Sequence, residues 1–344
     1  MPEGVTLILL AIFTLAVGFD YINGFHDTAN AIATSVSTRA LKPHVAIGMS
    51  AVANFVGALT GTAVAKFIAS GIVMTPDGHA GQVVVAAALV GAIVWNLLTW
   101  RAGIPSSSSH ALIGGLMGAT VAAVALGGQA GGLLLDRFLA KVLVPLVGSP
   151  ILGVVGSFAL MVVLFNLFRR ANPRRLNDGF RRLQVVSAAF MALSHGSNDA
   201  QKTMGVMTLA LVAAGILATP DVPFWVIVLA ASAISLGTAA GGWRIMKTMG
   251  QRVVKLDPIH GFAAETTAAS IILGASHFGM PVSTTHVISS AIMGAGSSDR
   301  FSAVRWGIAG NIVWAWILTI PLSAAVAAAS WVVLNVLMGS RPAA

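Results

Sequence analysis

The chain has 344 residues, of which 56% are hydrophobic and only 9% are charged. This composition lies outside the range of soluble domains and predicts an integral membrane protein. The net charge of +9 does not indicate a nucleic-acid partner, because in a membrane protein the placement of Lys and Arg matters more than their sum. The chain contains no cysteine, which excludes disulfides and thiolate metal sites.

Apolar runs of about 20 residues, the length that crosses a bilayer, recur along the whole chain. The first run opens with Glu3 rather than a basic segment, so we expect a membrane helix there and not a cleaved signal peptide. The pattern predicts an all-α polytopic membrane protein with about 10–12 membrane segments. The runs lie at 4–22, 45–65, 82–100, 105–126, 142–168, 185–215, 223–243, 259–276, 281–296 and 301–338.

Two basic stretches predict the orientation of the chain. The stretch "FRRANPRRLNDGFRR" (168–182) contains six arginines together with Pro173 and Gly179, which indicates a loop on the cytoplasmic side. The next two apolar runs return the chain to the same side, where 244–257 contains four more basic residues. Both basic stretches are therefore expected on the cytoplasmic side.

The chain also contains an internal duplication. The segment "GIPSSSSHALIGGLMGA" (103–119) matches "GMPVSTTHVISSAIMGA" (279–295), and "GTA" occurs at 61–63 and, at the same offset, at 237–239. At a slightly shorter offset, "FHDTANA" matches "SNDAQKT" and places Asp27 with Asp199. We therefore expect two related halves.

The charges near the two "GTA" segments predict that the halves are inverted. The first "GTA" is followed by a loop with only Lys66 and Asp77, whereas the second is followed by the basic stretch. Inverted repeats with interrupted or re-entrant helices recur in secondary transporters. We predict a first repeat at 4–126, a connecting helix and basic cytoplasmic loop at 127–184, a second repeat at 185–300, and one or more C-terminal membrane helices at 301–340.

Four acidic residues fall inside apolar runs: Asp20, Asp27, Asp199 and Glu265. Charged groups at this depth cost several kcal/mol and by default mark ion or substrate paths, although hydrogen-bonded structural carboxylates are the alternative. Asp27 and Asn30 share one helical face, and Asn198 adjoins Asp199. Their oxygens suit a hard cation, and the carboxylates also suit a proton. Neighbouring small residues permit a helix break or close backbone approach.

The segments after Pro105 and Pro281 predict an anion receptor. Proline is favoured in the first turn of a helix, and the following hydroxyls join free backbone N–H groups and the positive end of the helix dipole. Two such helix starts could bind one tetrahedral oxyanion from both sides. The alternative is that the hydroxyl residues only cap helices. They are Ser107, Ser108, Ser109, Ser283, Thr284 and Thr285.

The two kinds of site fit together electrostatically. A dianion near Asp27 and Asp199 would be repelled unless cations or protons neutralised the carboxylates. Binding of the anion and of the cation would then be mutually favourable, as in a symporter. A passive anion channel remains open as an alternative. An intramembrane hydrolase is disfavoured, because the same constellation occurs in both halves, which suits a two-sided binding site better than one catalytic centre.

Four histidines, His26, His110, His195 and His286, are candidates for proton relays or divalent-metal ligands. The alternative is that helix hydrogen bonds satisfy them.

The segments "GFHDTANAIAT", "SHGSNDAQKTMG", "IPSSSSHALIGG" and "MPVSTTHVISSAIMGAG" resemble the signature segments of the PiT family of inorganic phosphate transporters. The resemblance covers nearly the whole chain. It implies a multi-pass protein of the bacterial cytoplasmic membrane, not an enzyme and without a cofactor, that imports phosphate with a proton or sodium. Several bacterial members resemble carriers of metal-phosphate complexes, and the family includes sulfate permeases, so both substrates stay open. Membrane lipid is a further expected partner, and the formation of homo-oligomers stays open.

The resemblance implies roles for residues of both halves. Glu265 matches an acidic position that is functional in the family. Where sodium-type members have a second Asp-x-x-Asn, this chain has Lys202, and Asn54 stands where some relatives carry Glu. Both differences reduce the inventory of sodium ligands and favour a proton as the coupling ion. The expected phosphate-binding residues are Asn30, Asn198, Lys202, Ser107–Ser109 and Ser283–Thr285; the expected coupling residues are Asp27, Asp199, Glu265, His26 and His195.

Overall fold

The structure, a computed structural model, describes residues 7–128 and 130–338. The predicted termini at 4–6 and 339–340 lie outside the described residues. Helices of the first half are α1 (Leu7–Ser37), α2 (Pro43–Ala58), α3 (Ala63–Ala69), α4 (Gly78–Ala102), α5 (Ser108–Gly127), α6 (Leu135–Phe138) and α7 (Val144–Phe168). Those of the second are α8 (Pro173–Ala213), α9 (Phe224–Ala240), α10 (Trp243–Lys247), α11 (Pro258–His277), α12 (Thr284–Ser297) and α13 (Trp306–Met338).

Shorter elements connect these helices. A π-helical turn, Leu139–Leu143, joins α6 to α7, and another, Thr248–Arg252, continues α10. Two-residue strands β1 (Val73–Met74) and β2 (Gly132–Leu133) pair antiparallel, with Val73 opposite Leu133. A 3₁₀ turn, Phe301–Ala303, precedes α13. Within the described residues, each predicted apolar run falls on one helix or on a bent pair of helices, so the all-α membrane fold is confirmed.

Within the described residues, five helices are long and apolar enough to cross a membrane: α1, α4, α5, the continuous α6–α7 segment and α13. The count rises to seven if each of two bent pairs is one span. The remaining predicted runs form α8, α11 and α12, which pack inside the bundle. At 14 residues, α12 extends only about 21 Å, which is less than the thickness of a bilayer core.

The two bent pairs lie at the duplicated "GTA" segments. The axes of α2 and α3 differ by 66°, and those of α9 and the segment beginning at Arg244 differ by 61°. Both breaks fall at or just beside the three repeated residues, 61–63 and 237–239. The predicted interruption of helices is therefore present at matching positions of the two halves.

Glycines allow α1 to pack closely against α9, and α8 to pack closely against α2. A Cβ on Gly24 would lie 2.3 Å from a carbonyl oxygen of α9, and one on Gly237 would lie 2.0 Å from a carbonyl oxygen of α1. The corresponding distances are 2.2 Å for Gly196 against α2 and 2.0 Å for Gly57 against α8. Both helices stay continuous through their motifs, so the predicted small residues serve close packing and not a helix break.

The predicted basic loop at 168–182 is mostly helical. Only 169–172 lies outside helix, and α8 begins at Pro173. The Asn172 side chain accepts a hydrogen bond from the backbone N–H of Arg174 at 3.0 Å, so it caps the helix. The proline and glycine suggested a loop, but proline is well tolerated at a first helical position, and one exposed glycine costs a helix only about 1 kcal/mol.

Two apolar clusters enclose a polar layer in the bundle. On α1, the first cluster includes residues up to Phe19 and the second begins at Ala29. On α8, the second cluster reaches Ala192 and the first begins at Ala200. The polar residues of both motifs therefore lie where the two clusters meet.

Candidate functional site

The two predicted aspartates meet between α1 and α8, around His195. The Nε2 atom of His195 lies 3.2 Å from an oxygen of Asp199 and 4.0 Å from an oxygen of Asp27. All three side chains are buried. Ligand atoms of the three residues lie within 4.8 Å of one another, so the group could hold a metal ion or a proton.

The hydrogen bonds around His195 indicate which of its two ring nitrogens carries the proton. Its Nδ1 atom lies 3.1 Å from Oδ1 of Asn54, and the amide of Asn54 donates to Thr238 at 2.8 Å. Because the Asn54 oxygen is then an acceptor, we assign the Nδ1 proton to this hydrogen bond. The Nε2 atom faces two carboxylates and can donate to them only when His195 carries a second proton. The ring is thus placed to hold a proton between the aspartates.

Asp27 is also bonded to its neighbour in sequence. Its Oδ1 atom lies 2.6 Å from Nδ1 of His26, whose Nε2 lies 3.2 Å from the hydroxyl of Thr99 on α4. His26 therefore links Asp27 to α4. The Asp27 carboxylate has no Lys or Arg partner among the described residues.

Asp199 has a cationic partner one helical turn away. Lys202, which is 1% exposed, forms an ion pair with Oδ1 of Asp199. Its ammonium also donates to the hydroxyl of Ser109 and, at 3.1 Å, to the carbonyl oxygen of Val282. Lys202, which was expected among the phosphate-binding residues, thus pairs with a carboxylate. Its ammonium nevertheless lies beside both predicted helix starts.

The starts of α5 and α12 meet face to face. The hydroxyls of Ser107 and Ser283 each accept a hydrogen bond of 3.2 Å from the backbone N–H of the histidine three residues later, so both cap their helices. The rings of those residues, His110 and His286, have centroids 4.8 Å apart, and His286 also stacks on Trp316. The positive ends of two helix dipoles therefore converge at this point.

The remaining hydroxyls join the helix starts to the aspartate motifs. Thr284 donates to Asp199 at 3.2 Å, and Asn30 donates to Thr285 at 2.9 Å. Ser109 accepts from Lys202, whereas the buried hydroxyl of Ser108 has no partner among the residues described. The predicted anion receptor and the predicted cation residues thus form one connected cluster.

A cavity of about 320 Å³ approaches this cluster from the side of the α2–α3 break. It is lined by Thr60, Gly61 and Ser197, and by Ser276 and His277 at the end of α11. Ser276 accepts a hydrogen bond of 2.7 Å from Asn198, which lies next to Asp199 in the sequence. The cavity therefore leads toward the second motif.

Glu265 is buried in a separate polar cluster on α11. Its carboxylate accepts hydrogen bonds from Thr34 and Ser187, and from Gln184 at 3.2 Å. Thr34 lies seven residues after Asp27 on α1, which corresponds to about 10 Å along the helix. The structure does not bring Glu265 into contact with the aspartate cluster.

Sequence reasoning did not single out several partners in these clusters. Ser276, Gln184 and Ser187 are isolated polar residues within helices, and only their contacts reveal them. Thr238 belongs to the duplicated "GTA", which was a detectable signal.

Comparisons with known proteins identify the family of the chain. A family model described as the phosphate transporter family matches residues 23–327. The chain belongs to the phosphate transporter family. The PiT resemblance of the motifs is thereby confirmed, together with a multi-pass location in the membrane and a transporter rather than an enzyme.

Relatives and a solved structure support the assignment over nearly the full length. The chain is 47% identical over 332 residues to a probable low-affinity inorganic phosphate transporter of Bacillus subtilis, covering 96% of this chain and 98% of that protein. It is 46% identical over 323 residues to a protein of Rhizobium meliloti with the same description, covering 93% and 95%. A solved structure, "The sodium-dependent phosphate transporter", matches with a TM-score of 0.86 and 26% identity, covering 96% and 100%.

Proposed function

We propose that this phosphate transporter family member imports inorganic phosphate by secondary active transport, with a proton as the coupling ion. The observation that carries the proposal is the convergence of the α5 and α12 helix starts on a buried Asp–His–Asp group. Helix starts favour an oxyanion, whereas the aspartates favour a proton or a cation. Each ligand reduces the cost of binding the other, which is the thermodynamic requirement for symport.

Lys202 supports a proton over sodium. Its ammonium pairs with one oxygen of Asp199 and therefore competes with a sodium ion for that carboxylate, and Lys202 stands where the first half has Asn30. His195 has the position of a proton carrier, since its Nε2 atom faces both carboxylates. The sodium dependence named for the solved neighbour makes sodium the principal rival.

We also infer that the two halves are inverted repeats that exchange access to the site. The matching helix breaks and the reciprocal glycine contacts support this arrangement. Alternating access in such folds is a movement of one bundle against another around a fixed midplane site.

The site is expected to receive phosphate, but a sulfate or a neutral metal-phosphate complex would meet many of the same groups. Uptake of labelled phosphate into proteoliposomes, with sulfate, arsenate or magnesium added, discriminates among these substrates. We expect arsenate to compete and sulfate not to compete, because Asp27 and Asp199 can accept the proton of hydrogen phosphate or arsenate, which sulfate lacks at neutral pH. Equal competition by sulfate would contradict phosphate selectivity, and a requirement for magnesium would indicate the metal complex.

Accumulation against a gradient tests the transport class. We expect labelled phosphate to reach a higher concentration inside the vesicles than outside, and to leave when the ion gradients are collapsed. Equilibration without accumulation would indicate a passive channel.

A further inference from the structure

Asp20 is a buried carboxylate that the proposed function does not use. It lies on α1, two turns before Asp27, and its exposed fraction is 0%. Both of its oxygens lack a hydrogen-bond partner among residues 7–128 and 130–338. An ionised carboxylate in such a position costs several kcal/mol unless a cation or a proton neutralises it.

Asp20 has unpartnered polar neighbours. Asn23, one turn further along α1, and Thr203 on α8 lie beside its carboxylate. Both are buried, and the amide of Asn23 and the hydroxyl of Thr203 also have no partner in the part of the chain that the structure describes. Three unsatisfied polar side chains therefore face one another in the same small region.

The other buried acids differ from Asp20 in their surroundings. Asp27 contacts His26, Asp199 pairs with Lys202, and Glu265 accepts three hydrogen bonds. Buried polar groups in proteins are nearly always satisfied, so an unsatisfied cluster indicates a ligand or a proton that completes it.

The charged surroundings of Asp20 also favour a bound positive charge. The titratable groups that face it are His195 and Asp199 on α8. The segment of α9 packed against α1 contains no titratable residue, and α4 has only His79 and Arg101, near its two ends. Asp199 is a second negative charge close to Asp20, and Lys202 is already paired with Asp199.

The sequence also contains a signal for this cluster. The spacing Asp20-x-x-Asn23 repeats the spacing Asp27-x-x-Asn30 on the same helix, seven residues earlier. Residues seven apart lie on nearly the same helical face, so α1 presents two carboxylate–amide pairs in line, about 10 Å apart.

We propose that Asp20, Asn23 and Thr203 form a second coupling site, in which Asp20 carries a proton that it shares with the amide and hydroxyl oxygens. The protonated carboxyl donates one hydrogen bond, and its remaining oxygen accepts one from Asn23 or Thr203. Both oxygens of Asp20 then have a partner, and the buried carboxyl carries no net charge. The site itself follows from the contacts of Asp20, whereas movement of its proton together with phosphate rests on the proposed function.

Infrared spectroscopy of the purified protein in phosphate-free and sodium-free buffer tests the site without any transport assay. A protonated buried carboxyl gives a C=O band that ionised carboxylates lack and that shifts in heavy water. We expect Asp20→Asn to lose part of this band. The matched control is Asp178→Asn, which changes an exposed aspartate of α8 and should leave the band intact.

A second, milder variant keeps the test valid if Asp20→Asn fails to fold. Thr203→Val has almost the same shape but removes one hydrogen-bonding partner, so we expect the band to move to higher frequency. Replacing choline chloride by sodium chloride should leave the band unchanged. Loss of the band in sodium would assign the site to sodium, and an unchanged band in both variants would contradict a proton on Asp20; either result overturns the proposal.

The transport readout separates the two proposals. If the band depends on Asp20 but the wild-type protein accumulates no phosphate, the proton site stands and the proposed function fails. If phosphate accumulates and Asp20→Asn loses the stimulation by a proton gradient, both stand. Unaltered proton stimulation in a folded Asp20→Asn protein would remove Asp20 from coupling.

Discussion

The two aspartate motifs occupy matching positions in the duplication but have different partners. Asp199 has an ammonium within its own motif, since Lys202 pairs with it one turn away. Asp27 has Asn30 at the corresponding position, and Asn30 donates instead to Thr285 of the α12 helix start. The second half therefore supplies a cation for its own aspartate, whereas Asp27 has no Lys or Arg partner among the described residues. Under the proposed function, a proton or an ion that arrives with the substrate neutralises Asp27.

Asp199→Asn should have the largest effect, because it leaves the ammonium of Lys202 buried without a counter-charge. Breaking a buried ion pair on one side costs about 3–5 kcal/mol. We expect loss of phosphate uptake and a clearly lower melting temperature in detergent. The double variant Asp199→Asn/Lys202→Gln should recover much of the stability but not the uptake; a single variant as stable as the wild type would refute the pair.

Asp27→Asn should abolish coupled uptake with a smaller loss of stability, since no buried ammonium is left unpaired. The amide retains a polar contact with His26, which lies 2.6 Å from the carboxylate. Labelled phosphate uptake and the melting temperature, measured on the same preparation, check this expectation. Normal uptake by Asp27→Asn would remove Asp27 from the coupling mechanism.

Ser107→Ala and Ser283→Ala test the two helix starts with the same substitution in each half. The oxygen of each serine accepts the cap hydrogen bond, which leaves its hydroxyl proton to donate to an anion. Losing one such hydrogen bond to phosphate costs about 1 kcal/mol. We expect the half-saturation concentration for phosphate to rise about fivefold in each variant. If neither value changes, the helix starts do not bind the anion; if only one changes, the two halves contribute unequally.

Asp221→Asn should have the smallest effect and serves as the surface counterpart of the buried pair. Asp221 and Lys66 form an exposed ion pair of 2.7 Å, and the hydrogen bond from Lys66 lowers the pKa of Asp221. Because the pKa of Asp221 is lower in the folded state, its ionised carboxylate stabilises the folded protein at pH values above the unfolded-state pKa. This stabilisation is lost as the pH falls through the folded-state pKa. At neutral pH the pair is screened by salt, so we expect unchanged uptake; a strong loss would show a role for this surface.

Much of the fold followed from patterns that physical chemistry makes specific. Apolar runs of bilayer length predicted the helices. Interrupted helices were also predicted, but only the structure places the breaks at 59–62 and 241–242, beside the duplicated "GTA". The helix at 173–182 could not be recognised, because Pro173 and Gly179 are as common in loops as at a helix start. Its capping by Asn172 became visible only in the structure.

The candidate site was predicted as a set of residues but not as a network. Repetition identified Asp27, Asp199 and the two hydroxyl runs. The partners of Lys202 depend on how α5 and α12 cross α8, which no local pattern encodes. The sequence showed that a carboxylate at Asp20 would be costly to bury. That it lacks hydrogen-bond donors became visible only from the packing of α8 against α1.

Identifying the ion that drives phosphate uptake is the most direct test of proton coupling. Initial uptake of labelled phosphate into proteoliposomes should be measured under an inward proton gradient with sodium replaced by choline, and under an inward sodium gradient at equal pH. We expect accumulation under the proton gradient and none under the sodium gradient, because the ammonium of Lys202 already pairs with Asp199. Accumulation driven by sodium, with no response to the proton gradient, would contradict the account.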